Sequence, residues 1–207
     1  MSRSACVLGL GLILGAPLPL PLADGADPAA SLRPRALLEA HKDLITCLAY
    51  SADGRWLATG GVDGTIPLID LASGQPVNPL RGSLLVTNLA FSPDSQTLAA
   101  TTNGIGPSVR LWDLATRAER TAGGHTKPVA GLAYHPAGNR IATGSLDGTA
   151  RLWETSPDVE PGPVFDFRHT RPVAAAAVAF SPSGRHLAVG LGDGRIAILR
   201  TPPDPAR

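Results

Sequence analysis

The stretch L-A-Y-H-P-A-G-N-R-I-A-T-G-S-L-D-G-T-A-R-L-W-E, running from Leu132 to Glu154, decides the fold. Its H-P-A-G tetrad puts Pro at the second position of a type I turn and Gly at the end. Asp147-Gly148 is a pair expected to supply the positive φ values of a two-residue hairpin. Between these turns lie short runs rich in Ile, Leu, Thr and Ala, with no room for a long helix. The stretch therefore reads as consecutive antiparallel strands. Three further segments align with it: Leu48–Asp70, Leu89–Asp113 and Val178–Arg200, two of them with Asp-Gly pairs of their own at Asp63-Gly64 and Asp193-Gly194. The aromatic markers Tyr50, Phe91, Tyr134 and Phe180 are spaced 41, 43 and 46 residues apart. A period in the low forties is one unit of four short strands. The chain is all-β and repetitive.

Composition agrees. The chain has 207 residues, enough for one domain behind a short leader. A net charge of +1 gives no overall field to draw in nucleic acid or an anionic membrane. Gly 23 and Pro 20 suit frequent tight turns. The two cysteines, Cys6 and Cys47, make no disulfide framework, and no Cys/His spacing resembles a metal site. No cofactor is expected, since no phosphate loop or H-E-x-x-H motif occurs, and no G-x-S-x-G marks a nucleophile. Gly104-Ile105-Gly106 reads as a hairpin turn with no helix behind it to cradle phosphate.

The repeats resemble the WD-repeat β-propeller family over roughly residues 35 to 200. The residues carrying the likeness are Trp112-Asp113 and Trp153-Glu154 at strand ends, His125 upstream, and the Asp-Gly turns. The resemblance implies four-stranded antiparallel blades, each tied by a buried tetrad of His, Ser or Thr, Asp and Trp. The third repeat supplies all four as His125, Thr143, Asp147 and Trp153. The first keeps His41, Thr59 and Asp63 with Ile69 in place of Trp, and the fourth keeps His169 and Asp193 with Val189 and Leu199. The second has Trp112 without His or Asp. A buried Asp is tolerable only when hydrogen-bonded, so the third blade is expected to be the most rigid and the second the softest.

Outer strands are expected at Ala36–Glu39 and around Val77–Arg81, Ala118–Thr121 and Val164–Arg168. The first of these is expected to complete the fourth blade, as is typical of the family. Four blades either close into a small ring or form an arc. An arc exposes two apolar blade faces and open edges, which invite a homodimer or aggregation.

Arg3 followed by the apolar run Ala5 to Ala16 has the proportions of a secretory signal. Residues 1–25 are thus a leader, 26–34 a linker, 35–200 the propeller and 201–207 a tail. The run is too short for a stable membrane span. An exported location follows if the leader is a signal peptide; the alternative is cytoplasmic, with an apolar tail.

The recurrence of the His–Asp pairs argues for structure rather than catalysis, because an active site is single while a structural device repeats. No catalytic residue is expected. Most aromatics sit at repeat positions and no basic run accompanies the rest, so nucleic acid is not an expected partner. Trp56 has the counterparts Thr97, Arg140 and His186, which read as solvent-facing. Trp56 is either a partner anchor or a cap on a neighbouring loop. With His186 it makes a contact patch if the ring closes. On the opposite rim, the resemblance implies a partner-binding face, where Lys42, Asp43, Lys127 and Arg171 offer polar recognition. The expected function is a non-catalytic scaffold presenting loops to a protein or peptide. The alternative is the accessory repeat portion of a larger regulatory or enzymatic assembly, such as a kinase.

Overall fold

Two kinds of tight turn set the strand lengths. The turns Ser51–Gly54, Ser92–Ser95, His135–Gly138 and Ser181–Gly184 each close with the fourth N–H donating to the first carbonyl at 2.8–3.0 Å. The fourth residue of each has positive φ, between 60° and 79°. Gly61–Gly64, Ser145–Gly148 and Leu191–Gly194 close the same way at the other end of the strands. In these only the Gly is left-handed, at 72° to 86°, and the preceding Asp is not. They are type I turns followed by a left-handed Gly, not the two-residue hairpins expected from Asp-Gly. The extra residue leaves the Asp carboxylate free to turn inward.

A computed structural model describes residues 37–81, 85–103, 108–156, 163–170 and 173–203, with the side chains of 78 and 164 left out. The leader, the linker, Ala36, Gly104-Ile105-Gly106, Arg171 and 204–207 lie outside the described residues. The first sheet is β1 (Ile45–Tyr50), β2 (Trp56–Gly61), β3 (Thr65–Asp70) and β4 (Gln75–Arg81). The second is β5 (Val86–Phe91), β6 (Thr97–Thr102), β7 (Val109–Asp113) and β8 (Glu119–Ala122). The third is β9 (Val129–Tyr134), β10 (Arg140–Ser145), β11 (Thr149–Glu154) and β12 (Pro163–Arg168). β13 (Ala175–Phe180), β14 (His186–Leu191) and β15 (Ile196–Arg200) form a fourth sheet of three strands. Within each sheet the strands pair antiparallel with their sequence neighbours.

The core sits between sheets rather than within one. Ala58, Ile66 and Leu68 of the first sheet pack on Leu89, Phe91, Leu98 and Trp112 of the second. Val109, Leu111 and Ala122 of the second pack on Ile141 and Trp153 of the third, with Leu132 and Tyr134 alongside. Ala142, Ala150 and Leu152 of the third pack on Leu187 and Val189 of the fourth, with Val178, Phe180 and Leu199. Each sheet thus has a leading face, turned to the sheet before it, and a trailing face, turned to the sheet after it. The inner strands β1, β5, β9 and β13 lie side by side in that order, and the packing is not repeated between β13 and β1. The four sheets form an arc.

The expected closure by the N-terminal strand does not occur. Leu37–Ala40 has no strand structure. Leu38, Glu39 and Ala40 instead line a cavity of about 190 Å³ with Pro67, Ile69 and Pro76 of the first sheet. The segment thereby covers the outer part of the first sheet's leading face, and no described strand pairs with the outer edge of β15. Physically, Pro67 and Ile69 offer it an apolar seat on its own sheet. Among the described residues no helix is long and apolar enough to cross a membrane.

Candidate interaction surface

The third sheet carries a continuous polar chain through its interior. Trp153 Nε1 donates to Thr143 Oγ1 at 2.8 Å. Thr143 Oγ1 lies 2.8 Å from His125 Nε2, and His125 Nδ1 lies 3.0 Å from Asp147 Oδ2. An indole N–H can only donate and a carboxylate only accept, and the lowered pKa of His125 favours its neutral form, which leaves Nε2 as an acceptor. Thr143 therefore donates to a neutral His125, whose Nδ1–H donates to Asp147. Burial lowers the pKa of His125, against the opposing pull of Asp147. Burial alone would raise Asp147; hydrogen bonds from Thr149, the Thr126 N–H and His125 outweigh it and hold the carboxyl well below the usual carboxylate range.

Thr149 is a member that the sequence reading missed. Its hydroxyl donates to Asp147 Oδ1 at 2.6 Å and its N–H donates to the same oxygen at 2.8 Å. The signal was present as the third residue of Asp-Gly-Thr. The first sheet repeats the arrangement: His41 Nδ1 is 3.0 Å from Asp63 Oδ1, His41 Nε2 is 2.7 Å from Thr59 Oγ1, and Thr65 Oγ1 donates to Asp63 at 2.8 Å. Buried Ile69 fills the Trp slot. Asp63, like Asp147, is held well below its ordinary value: burial opposes, and Thr65, His41 and the Lys42 N–H prevail.

In the fourth sheet the carboxylate turns elsewhere. Arg195 stands where Thr65 and Thr149 stand, and its Nε and Nη2 donate to Asp193 Oδ2 at 3.0 and 2.5 Å. The Arg195 hydrogen bonds, with the nearby charge of His169, lower the Asp193 pKa. Val189, fully buried, fills the hydroxyl slot. The second sheet has a different polar tie. Thr87 Oγ1 and Asn88 Nδ2 donate across the junction to the carbonyls of Val129 and Ala130 at 2.9 and 3.0 Å, and Thr101 Oγ1 lies 2.8 Å from Thr87 Oγ1.

Lys42 and Asp43 precede β1 and Lys127 precedes β9, so these exposed residues share the rim that holds the His–Asp pairs. They project beside the pairs without entering them, apart from the Lys42 backbone N–H, which donates to Asp63 Oδ2 at 3.1 Å. Trp56, Thr97, Arg140 and His186 each open the second strand of a sheet, at the opposite rim. They differ in exposure. Trp56 packs against the core of the first junction with Arg55 4.6 Å over its ring, the arrangement of a cap. Arg140 is not solvent-facing as expected: it is buried, with Nε donating to Glu154 at 2.9 Å and its Nη atoms donating to the Pro202 and Pro203 carbonyls. Those contacts seat the start of the tail. Trp56 and His186 lie in the two terminal sheets and form no joint patch in the arc. Sequence reading also missed His135, whose Nε2 is 3.2 Å from the Gly184 carbonyl and whose ring meets Phe180 edge-on at 5.0 Å. His135 lines a cavity of about 550 Å³ with Ser183, Arg185, Arg200 and Pro202 at the third junction.

The family model described as "WD domain, G-beta repeat" fits residues 32–70, 74–113, 117–154 and 162–198. The hydrogen-bond design shared by the first and third sheets lies within the first and third of these stretches, with His41 to Thr65 in the one and His125 to Trp153 in the other. The chain belongs to the WD-repeat family. Among curated WD-repeat relatives, Protein tipD of Dictyostelium discoideum is 32% identical over 143 residues, covering 67% of this chain and 23% of its own length. Small ribosomal subunit protein RACK1y of Oryza sativa subsp. japonica is 32% identical over 133 residues, covering 59% and 38%. Guanine nucleotide-binding protein subunit beta of Zea mays is 31% identical over 137 residues, covering 62% and 36%. The chain thus spans well under half the length of these relatives. A solved structure, the computationally designed Ika4 protein, superposes with a TM-score of 0.67 at 26% identity, covering 79% of this chain and 95% of that one. The arc of sheets is a four-blade WD-repeat propeller fold.

Proposed function

We propose that this WD-repeat protein is a non-catalytic scaffold that presents its rim loops to a protein or peptide partner. One observation carries the reading: the His–Asp pairs of the first and third blades spend their hydrogen-bonding capacity inside the blades. His125 has both ring nitrogens within hydrogen-bond distance of side chains, and Asp147 accepts from Thr126, Thr149 and His125. A general base must instead reach a substrate proton. Exposed on that rim are Lys42, Asp43, Thr126 and Lys127, which suit polar recognition of a chain of mixed charge, beside the apolar Leu44, Val62 and Leu146. Two relatives carry names that place them in assemblies, a small ribosomal subunit and a guanine nucleotide-binding protein. The same observation supports a second reading, in which these four repeats serve a larger regulatory or enzymatic assembly. The leader composition supports export, and amino-terminal sequencing of the mature protein tests it.

The test is selection of peptides on the immobilised full chain. Binding that Lys42→Ala with Lys127→Ala weakens at least tenfold, with an unchanged melting temperature, supports the reading. Peptides indifferent to both rims, or hydrolytic activity lost in His125→Ala while the fold stays stable, would overturn it.

A further inference from the structure

The three internal junctions define what a blade face requires, and the two ends of the arc meet that requirement for each other. Strand pairing puts Ile66, Val109, Ala150 and Ile196 at one register position, and Leu68, Leu111, Leu152 and Ile198 at the next on the same face. In the first three blades these trailing-face residues are at most 2% exposed. In the fourth, Ile196 and Ile198 are 70% and 64% exposed. The leading face repeats the contrast. Leu89 and Phe91, at 9% and 8%, lie against the first blade, whereas their equivalents Leu48 and Tyr50 are 61% and 67% exposed. The N-terminal segment covers only the outer part of that face, around Pro67 and Ile69, and leaves Leu48 and Tyr50 open.

We infer that a second copy of this chain covers both faces, the trailing face of each copy seating on the leading face of the other. The argument is continuity with an interface the protein already makes three times. Leu48 and Tyr50 are a leading pair of the kind that packs on an aliphatic trailing pair, and Ile196 and Ile198 are such a pair. A head-to-tail contact of this type yields a closed ring when the rotation closes and a filament when it does not. Two arcs of four blades give a ring of eight, within the range propellers adopt. Closure makes the second junction intramolecular, so the pair of junctions holds far more tightly than either alone. The inference stands independently of what the rim loops bind.

Light scattering behind size-exclusion chromatography on the full chain tests this, with two variants that change exposed side chains only. The wild type is expected at twice the chain mass, and Leu48→Asp and Ile198→Asp each at the chain mass, with unaltered circular dichroism. An equimolar mixture of the two variants retains one intact junction, between the leading face of the Ile198→Asp copy and the trailing face of the Leu48→Asp copy. The mixture is therefore expected to recover a two-chain species at high concentration. A wild type of single mass at every concentration overturns the inference, as does a variant that stays dimeric or a mixture that stays monomeric. Species growing beyond two chains overturn the closed ring.

Discussion

The third and fourth blades align residue for residue and yet live in different surroundings. Leu152 and Ile198 occupy the same register position on the same face, at 1% and 64% exposure. The difference is a neighbour: the fourth blade covers the third, and no described sheet covers the fourth. The polar interior divides the same way. Trp153 bonds Thr143, Thr143 bonds His125, and His125 and Thr149 both bond Asp147, whereas Leu199, Val189 and Arg195 stand in the slots of Trp153, Thr143 and Thr149 and Asp193 is held by Arg195 near solvent. In a repeat architecture each unit contacts only its neighbours, so position along the array decides how much a side chain contributes.

The largest effect should come from truncating that equivalent pair. Leu152→Ala empties a filled site and is expected to cost about 2–5 kcal/mol, whereas Ile198→Ala, measured where the chain is monomeric, should stay within about 0.5 kcal/mol. Urea titration of both variants checks it, and equal losses would break the comparison. Next in size, His125→Ala orphans the buried hydroxyl of Thr143 and one bond to Asp147. Each orphaned partner is expected to cost about 1–3 kcal/mol. His169→Ala should cost less, because Arg195 continues to hold Asp193. Their melting temperatures compare directly.

Backbone approach gives a third contrast. A Cβ on Gly144 would lie 2.7 Å from the Ala175 carbonyl oxygen, across the third junction, while one on Gly190, the equivalent position, would meet Ala177 Cβ at an ordinary 3.4 Å. Gly144→Ala is expected to lose about 1–3 kcal/mol and Gly190→Ala next to nothing, read from the same titration where the chain is monomeric.

The smallest effect is on pH. His125 has a lowered pKa, so between its folded value and the unfolded value of about 6.5 the unfolded chain binds more protons, and stability rises with pH. Stability is expected to be full above about pH 6.5 and to decline as pH falls through that window. A second decline begins below about pH 4, as the unfolded forms of Asp63 and Asp147 take up protons that the folded carboxylates refuse. Melting scans from neutral to acid should show both, and His125→Ala should remove the first.

Much of this was legible in the sequence. The period and the tetrads gave the all-β repeat, and His125, Thr143, Asp147 and Trp153 were readable because each slot recurs at fixed spacing. Thr65 and Thr149 went unread because a Thr after Asp-Gly looks like an ordinary strand residue until its hydroxyl is seen on the carboxylate. Burial of Arg140 was not legible either, since its partners Pro202 and Pro203 lie 62 and 63 residues away. The N-terminal strand was misplaced because an apolar run says that it will be buried without saying against which sheet. Whether an arc closes depends on blade angle, which local spacing does not encode.

Hydroxyl-radical footprinting across a dilution series tests the central claim, that the arc ends in two uncovered but mutually fitting blade faces, most directly. Phe91 and Leu152 should be protected at every concentration. Tyr50 and Ile198 should react when the protein is dilute and become protected together as concentration rises. If Tyr50 were as protected as Phe91 at every dilution, the ring would close within one chain. If Tyr50 and Ile198 stayed reactive throughout, the two faces would not meet, and either result would contradict the account.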